Sequence, residues 1–256
     1  MLRLCVLGSG SSGNSIFIGG EREGILLDAG FSAKGTLARL SEAGIRPDHI
    51  KAIVVSHEHN DHVKGAGVVA RNLKVPVFMN RETHHAVKDR LGKLPRVEHF
   101  ATGSAFDACG IEVVSFSIPH DARDTCAFIF RVGGISLAVA TDAGYVTWLM
   151  ERKIAGADYM ILESNHDPEM LKAGPYPWEL KQRIASRNGH LSNGQCLELV
   201  KNVVHANLQG ITFAHVSQTN NNPHLVRQMA EEALPGGATP FEVAGQDRPG
   251  KIVRVG

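Results

Sequence analysis

The sequence has no surplus of charge: 27 lysines and arginines face 26 acidic residues among 256, a net +1. A balance this close excludes recognition of nucleic acid by global attraction, so any polyanionic substrate must be drawn by a local patch or by bound metal. Cysteine is scarce as well. Cys5, Cys109, Cys126 and Cys196 are widely spaced, mostly within apolar runs, and no C-x-x-C pair occurs. That excludes a zinc knuckle, a thioredoxin-type motif and a disulfide framework, and predicts buried free thiols in a reducing compartment. No apolar run approaches the length of a membrane span. The first seven residues are too short for a signal-peptide core, and a cytoplasmic location is expected. No linker, low-complexity segment or short repeat divides the chain, so residues 1–256 are expected to form one domain.

What the chain does have is histidine, 13 residues in all, and six consecutive positions concentrate it. His57-Glu58-His59-Asn60-Asp61-His62 follows the apolar run Ala52-Ile53-Val54-Val55 and precedes a small-residue segment, which reads as strand, loop, helix. In an extended loop residues i and i+2 face one way, so His57 and His59 can reach one ion. Asp61 and His62, at the helix start, point elsewhere and suit a second. Imidazole with carboxylate favours zinc, iron, manganese or cobalt over magnesium or calcium.

The same layout recurs downstream. Expected strands at 2–7, 15–18, 25–27, 52–55, 76–78, 111–117, 125–132, 135–140, 159–162 and 210–214 alternate with expected helices at 35–43, 63–72, 82–90, 176–186, 193–204 and 223–233. Each candidate ligand falls at the end of an apolar strand. His120 would complete a three-histidine set with His57 and His59. Asp142 ends the next buried strand, where a carboxylate can bridge two ions. His215 would join Asp61 and His62, although His190 competes for that role. This order fits an α/β (α+β) fold, two mixed halves stacked as a four-layer αββα sandwich. Residues 8–14, rich in glycine and serine, could offer backbone N–H groups to a phosphate, with Ser9, Ser11, Ser12 and Asn14 as candidate substrate contacts. Arg81, Lys88, Arg90, Lys93 and Arg96 form the densest basic region. With Glu82, Asp89 and Glu98 interleaved, it reads as a solvated helix face. His84, His85, His99, His205 and His224 read as surface or packing residues, and His166 as part of a loop near the site.

These segments resemble the metallo-β-lactamase superfamily, and within it the YycJ/WalJ-like group of bacterial hydrolases. The resemblance is carried by residues 7–15 (LGSGSSGNS), the histidine loop, Pro119-His120-Asp121-Ala122 and Thr141-Asp142-Ala143-Gly144. It continues through residues 162–167 (LESNHD), 189–193 (GHLSN) and 215–223 (HVSQTNNNP), so it spans almost the whole chain. It implies two divalent ions, zinc, manganese or iron. One would be held by His57, His59, His120 and bridging Asp142, the other by Asp61, His62, Asp142 and His215. A bridging hydroxide, oriented by Asp61 and Asp142, would attack in line with the leaving group. By analogy with tRNA-processing relatives, His190, oriented by Glu163, would protonate the leaving oxygen.

Absences narrow the substrate. A zinc lactamase of the family would carry cysteine at the bridging position, where this chain has Asp142. The interval between Asp142 and His190 leaves no room for the inserted cap domain of RNA-maturing and DNA-repair relatives. The resemblance therefore implies a phosphodiesterase, specifically a 5′-to-3′ DNA exonuclease with a nucleic-acid substrate and no membrane partner. The alternatives are hydrolysis of small phosphodiesters, lactones or thioesters, and iron-dependent redox chemistry on the same fold.

Overall fold

The computed structural model describes residues 1–234 and 239–256. The first half runs β1 (Leu2–Gly8), β2 (Ser15–Gly19), β3 (Gly24–Leu27), α1 (Ala33–Glu42), β4 (Ile50–Val54), α2 (Asn60–Val63), α3 (Ala66–Leu73), β5 (Val77–Asn80), α4 (Arg81–Leu91) and β6 (Val97–Phe100). The chain continues with β7 (Ala105–Asp107), β8 (Glu112–Ser117), β9 (Cys126–Val132), β10 (Ile135–Ala140), α5 (Trp148–Ile154), β11 (Tyr159–Glu163), α6 (Pro168–Ala173) and α7 (Trp178–Ile184). It ends with α8 (Asn193–Val203), β12 (Gly210–Ala214), α9 (Pro223–Ala233), β13 (Phe241–Val243) and β14 (Val253–Val255).

These strands form two sheets, ordered β14-β1-β2-β3-β4-β5-β6 and β13-β12-β11-β10-β9-β8-β7. Alternation along the strands explains their stacking. In β1, Leu4 and Val6 face the second sheet while Cys5 and Leu7 face the outer helices; in β4, Ala52 and Val54 oppose Ile53 in the same way. Both faces are apolar because both are covered, so the strands read as continuous hydrophobic runs. Leu40 of α1, Val69 of α3 and Val87 of α4 cover the first sheet. Met150 of α5, Val200 of α8 and Val226 of α9 cover the second. The four-layer αββα sandwich expected from the strand order is the observed fold.

Several local features differ from the sequence reading: β6, β7, β13, β14, α5 and α6 are not among the expected elements, and two further differences concern a helix and a thiol. The single helix expected over 63–72 is two helices, α2 and α3, parted at Gly65. A β-carbon on Gly65 would overlap the Phe31 carbonyl, and its N–H donates to Ala29 O at 2.8 Å. The glycine lets the chain press against the loop after β3, and that contact sets the direction of α2. The expectation of buried thiols holds for Cys5, Cys126 and Cys196 but not for Cys109, which is exposed on a left-handed turn between β7 and β8 (φ 56°). The short turn there lifts it out of the apolar run that its neighbours suggest.

The chain has two tryptophans, and both are on the surface: Trp148 is 73% exposed and Trp178 66%. No helix among the described residues is long and apolar enough to cross a membrane.

Candidate metal centre

The parallel strands β3 and β4 of the first sheet, and β10, β11 and β12 of the second, deliver their C-terminal ends to one edge of the sandwich. Asp28 follows β3, His57 follows β4, Asp142 follows β10, Glu163 ends β11 and His215 follows β12. His120 comes from the loop after β8. Three of these residues hold left-handed backbone: Asp28 (φ 60°), Asp142 (φ 63°) and His215 (φ 53°). Such a conformation costs a non-glycine residue roughly 1 kcal/mol or more, and it recurs where side chains must be aimed. A strand that continued in extended form would send its next side chain back along the sheet. The left-handed step turns it to the edge.

The histidines are then oriented from behind. His62 Nδ1 donates to Asp28 Oδ2 at 2.8 Å, His120 Nδ1 to Gly189 O at 3.1 Å, and His215 Nδ1 to Glu163 Oε1 at 3.0 Å. Carboxylates and carbonyls only accept, so each of these rings carries a proton on Nδ1. His57 Nδ1 donates to Ser56 Oγ at 3.0 Å, because that hydroxyl spends its own proton on Asp28 Oδ2 at 2.8 Å. All four rings therefore present Nε2 to the edge, an arrangement typical of histidines that bind metal. His59 turns Nδ1 inward instead, 3.2 Å from His120 Nε2.

The donors fall into four linked sets, two of which are joined through Asp142. One ligand atom each from His57, His59 and His120 lies within 4.8 Å of the others, and the same is true of Asp61, His62 and His215. Asp142 stands between the sets. Its Oδ2 is 3.4 Å from His62 Nε2, and its Oδ1 is 3.4 Å from His215 Nε2 and 4.0 Å from His120 Nε2. His57 Nε2, His215 Nε2 and Asp142 Oδ2 are all buried without a hydrogen-bond partner. A buried polar atom left unmatched costs about 1–3 kcal/mol, and three of them around one point fit a site built for cations.

Protons respond to the same field. Burial and the neighbouring His62 hold the His57 imidazole well below its ordinary range. Burial would also lower His62 and His215, but carboxylates reverse the sign. Asp142, Asp28 and Asp61 carry His62 well above the usual imidazole value, and Asp142, Asp61 and Glu163 raise His215 to about 10. Burial alone would raise Asp142 and Glu163; instead His215 and His62 hold Asp142 far down, and His190 and His215 bring Glu163 to about 2. The cluster is a buried anionic socket lined with imidazoles, the donor set that zinc, manganese or iron takes.

The structure brings His57, His59, Asp61, His62, His120, Asp142, Glu163, His190 and His215 to this edge. His190 also groups with Asp142, Glu163 and His215, but its Nδ1 bonds Glu163 Oε1 at 2.8 Å and its ring lines a cavity open to solvent. Glu163 also accepts from the amides of Ala143 and Leu191, which ties the loops after β10 and before α8 together. The glycine-serine turn needs correction. Ser9 Oγ donates to Asn14 Oδ1 and accepts from the His215 amide, while Asn14 Nδ2 reaches Asp61 Oδ2 at 3.1 Å. Both side chains are buried and committed to holding ligand loops, so neither is free for substrate. Ser11 does line the cavity, whereas Ser12 is exposed outside it. His166 is buried beside Ser192, its Nδ1 without a partner.

Three residues that sequence reasoning passed over belong to the site. Asp28 fixes both Ser56 and His62, and its signal was the one used elsewhere: an acidic residue ending an apolar strand. Asp121 sits with Oδ1 3.4 Å from His120 Nε2 and pairs through Oδ2 with Arg183. No local motif marks Arg183. The basic region also sorts differently in space. Arg81, Glu82, His84, His85 and Lys88 of α4, with His99 and Arg123, line a groove of about 450 Å3 in which one acid stands among the cations and imidazoles. Among the described residues no carboxylate lies within 4.0 Å of the Arg81, Lys88 or Arg123 cations. The groove adjoins the histidine loop, since Glu58 accepts from the Arg123 amide at 2.8 Å.

The sequence profile of the beta-lactamase superfamily domain matches residues 23–210. Exodeoxyribonuclease YycJ of Bacillus anthracis is 38% identical over 252 residues, 96% of each chain. Exodeoxyribonuclease WalJ of Streptococcus pneumoniae is 35% identical over 247 residues, 93% of this chain and 91% of that one. Among solved structures, the metallo-beta-lactamase fold protein YhfI of Bacillus subtilis superposes with a TM-score of 0.75 at 13% identity, covering 98% of this chain and 100% of that one. Zinc-bound PqqB of Methylobacterium extorquens gives 0.74 at 19%, covering 97% and 99%. The last two likenesses bear on fold alone, but the profile match and the near full-length identities reach further. This chain belongs to the metallo-β-lactamase superfamily, in the group that contains the YycJ and WalJ proteins.

Proposed function

We propose that the chain is a dinuclear metal-dependent hydrolase that removes nucleotides from DNA strands in the 5′-to-3′ direction. The observation that carries the metal half is the convergence of three buried, unpartnered atoms, His57 Nε2, Asp142 Oδ2 and His215 Nε2. The DNA half is supported by relatives named exodeoxyribonucleases, aligned over nearly the full chain. His57, His59, His120 and Asp142 would hold one divalent ion, and Asp61, His62, Asp142 and His215 the other. Ions held there would supply an activated water at neutral pH and would neutralise charge on the phosphate oxygens.

The protein's own groups do the rest. Asp61, partly exposed at the cavity wall, accepts a hydrogen bond from the attacking water and fixes its direction. His190 stands in the same cavity with Nδ1 on Glu163, so its Nε2 can deliver a proton to the leaving 3′ oxygen while Glu163 stabilises the ring's charge. Burial of Glu163 keeps that pairing out of water and the ring in one orientation.

The test is digestion of single-stranded DNA and RNA labelled at either end, by protein reconstituted with zinc, manganese or iron, alongside lactone, thioester and cyclic phosphodiester substrates. The expected result is early release of the 5′ label as mononucleotide from DNA, with loss of hydrolysis and lower metal content in a folded His59→Ala variant. Turnover of the small esters without nucleotide release would overturn the DNA reading. Wild-type activity in His59→Ala would overturn the dinuclear one.

A further inference from the structure

Residues 172–188, which arch from α6 past α7 to the His190 loop, include no buried residue. A helix held only at the surface ordinarily turns an apolar stripe to the core. In α7 that stripe faces elsewhere. Leu180 and Ile184 of α7, with Tyr176 two residues before the helix, line the cavity that also contains Asp61, Asp142 and His215. Arg183, on the same side, pairs with Asp121 Oδ2, and Asp121 Oδ1 lies 3.4 Å from His120 Nε2 and 3.7 Å from His59 Nε2. One carboxylate thus separates a guanidinium from the candidate metal ligands. The cavity, of about 230 Å3, has an apolar and cationic wall facing a wall of imidazoles and acids.

A small ester needs only the second wall. A ligand that satisfies both carries a flat apolar ring and at least two anionic groups, one for the centre and one for the guanidinium. A nucleotide at the end of a strand meets that description: base and sugar for Tyr176, Leu180 and Ile184, the scissile phosphate for the centre, the terminal phosphate for Arg183. Base stacking on an aromatic side chain is tolerant of sequence, as a processive or general exonuclease requires. Arginine also matches phosphate through two parallel N–H donors, a geometry that lysine cannot reproduce.

We propose that α7 forms the subsite for the 5′-terminal nucleotide of a single DNA strand, and that Arg183 exchanges Asp121 for its terminal phosphate. This rests on the exonuclease reading and adds what selects the end. Asp121 holds the guanidinium in place until the phosphate arrives, and neutralises it beside the centre.

The experiment compares metal-loaded wild type, Arg183→Gln, Arg183→Lys, Tyr176→Ala and Tyr176→Phe on one oligodeoxynucleotide bearing either a 5′-phosphate or a 5′-hydroxyl. Wild type should favour the phosphorylated strand. Arg183→Gln should raise KM for it roughly 10- to 100-fold, with kcat changed less, and so flatten the preference. Arg183→Lys should restore only part of it. Tyr176→Ala should raise KM for both strands, and Tyr176→Phe should restore both. None of these positions is buried, so far-UV circular dichroism and bound metal should match wild type. An unchanged preference in Arg183→Gln, or none in wild type, overturns the subsite while leaving strand degradation intact. Equilibrium titration with deoxyadenosine 5′-monophosphate separates the two readings. Binding that depends on Arg183, in a protein that degrades no DNA, upholds the subsite and sinks the exonuclease. Binding that ignores Arg183 sinks the subsite.

Discussion

At the scale of single residues, the site is a set of histidines held by partners that never touch the substrate. Asp28 shows how much rests on them. It accepts from the Ser56 amide at 2.8 Å, from Ser56 Oγ and from His62 Nδ1, and is buried in a left-handed conformation. Replacing one carboxylate oxygen by an amide leaves the shape but places an N–H against a ring that must donate. Asp28→Asn is expected to weaken metal binding about 10- to 100-fold, as loss of an orienting partner does elsewhere. Titration of chelator-treated protein with zinc, read by calorimetry, measures this; affinity equal to wild type would show that the His62 tautomer is set by other groups. The ligands themselves were readable in the sequence because imidazoles and acids followed apolar runs. Asp28 carried the same mark without a neighbouring histidine to draw notice. Ser9 and Asn14, expected as candidate substrate contacts, are instead buried against ligand loops, and a sequence does not show which way a polar turn is wrapped. Arg183 was invisible, because its partner Asp121 lies 62 positions away.

At the scale of elements, strand ends carry the chemistry and helices decide how the strand ends are reached. Expected and observed strands agree best where a run is apolar on both faces, as in β4, β11 and β12. They fail for β6 and β7, short edge strands with polar residues that leave no period to read. The break at Gly65 is a tertiary contact and is equally silent. Arg81 and Lys88 of α4 share the groove with Arg123, and Glu82 lies among them. If a strand's backbone follows this groove to the centre, each cation lost should lower the slope of log affinity against log salt by about 0.7. Single and double alanine variants of Arg81, Lys88 and Arg123, measured by fluorescence anisotropy with a single strand across a salt series, give that slope. A slope that does not move places the strand on another face.

At the scale of the whole molecule, the centre joins two sheets whose shared interior is apolar. His57, His59, Asp61 and His62 come from the first sheet's side; His120, Asp142 and His215 come from the second. Ions bound between them stabilise the folded chain by mass action, about 2.7 kcal/mol at a hundredfold excess over Kd. Without ions the same residues make stability depend on pH, and the sign follows from the shifts. His62 and His215 are raised, so their contribution is complete below the ordinary imidazole value of about 6.5 and is lost as pH rises toward 10. Glu163 and Asp142 are depressed, so theirs is complete above the ordinary carboxylate range and is lost as pH falls toward 2. Chelator-treated protein should therefore lose melting temperature between pH 7 and 10, and zinc-loaded protein should lose less, as thermal scans by circular dichroism would record. Parallel curves for the two forms would mean that His62 and His215 are not the groups that exchange protons for metal.

The two surface tryptophans set how such measurements can be made. With both indoles in water in the folded state, emission already starts near the wavelength of an unfolded chain, so intrinsic fluorescence is a poor thermometer for this fold. The same exposure makes Trp178, on the helix that walls the cavity, a built-in lamp for whatever settles against α7. Trp148, on α5 beneath the Arg152 guanidinium, supplies a second signal. A Trp148→Phe variant would leave one emitter, on the helix that carries Leu180, Arg183 and Ile184.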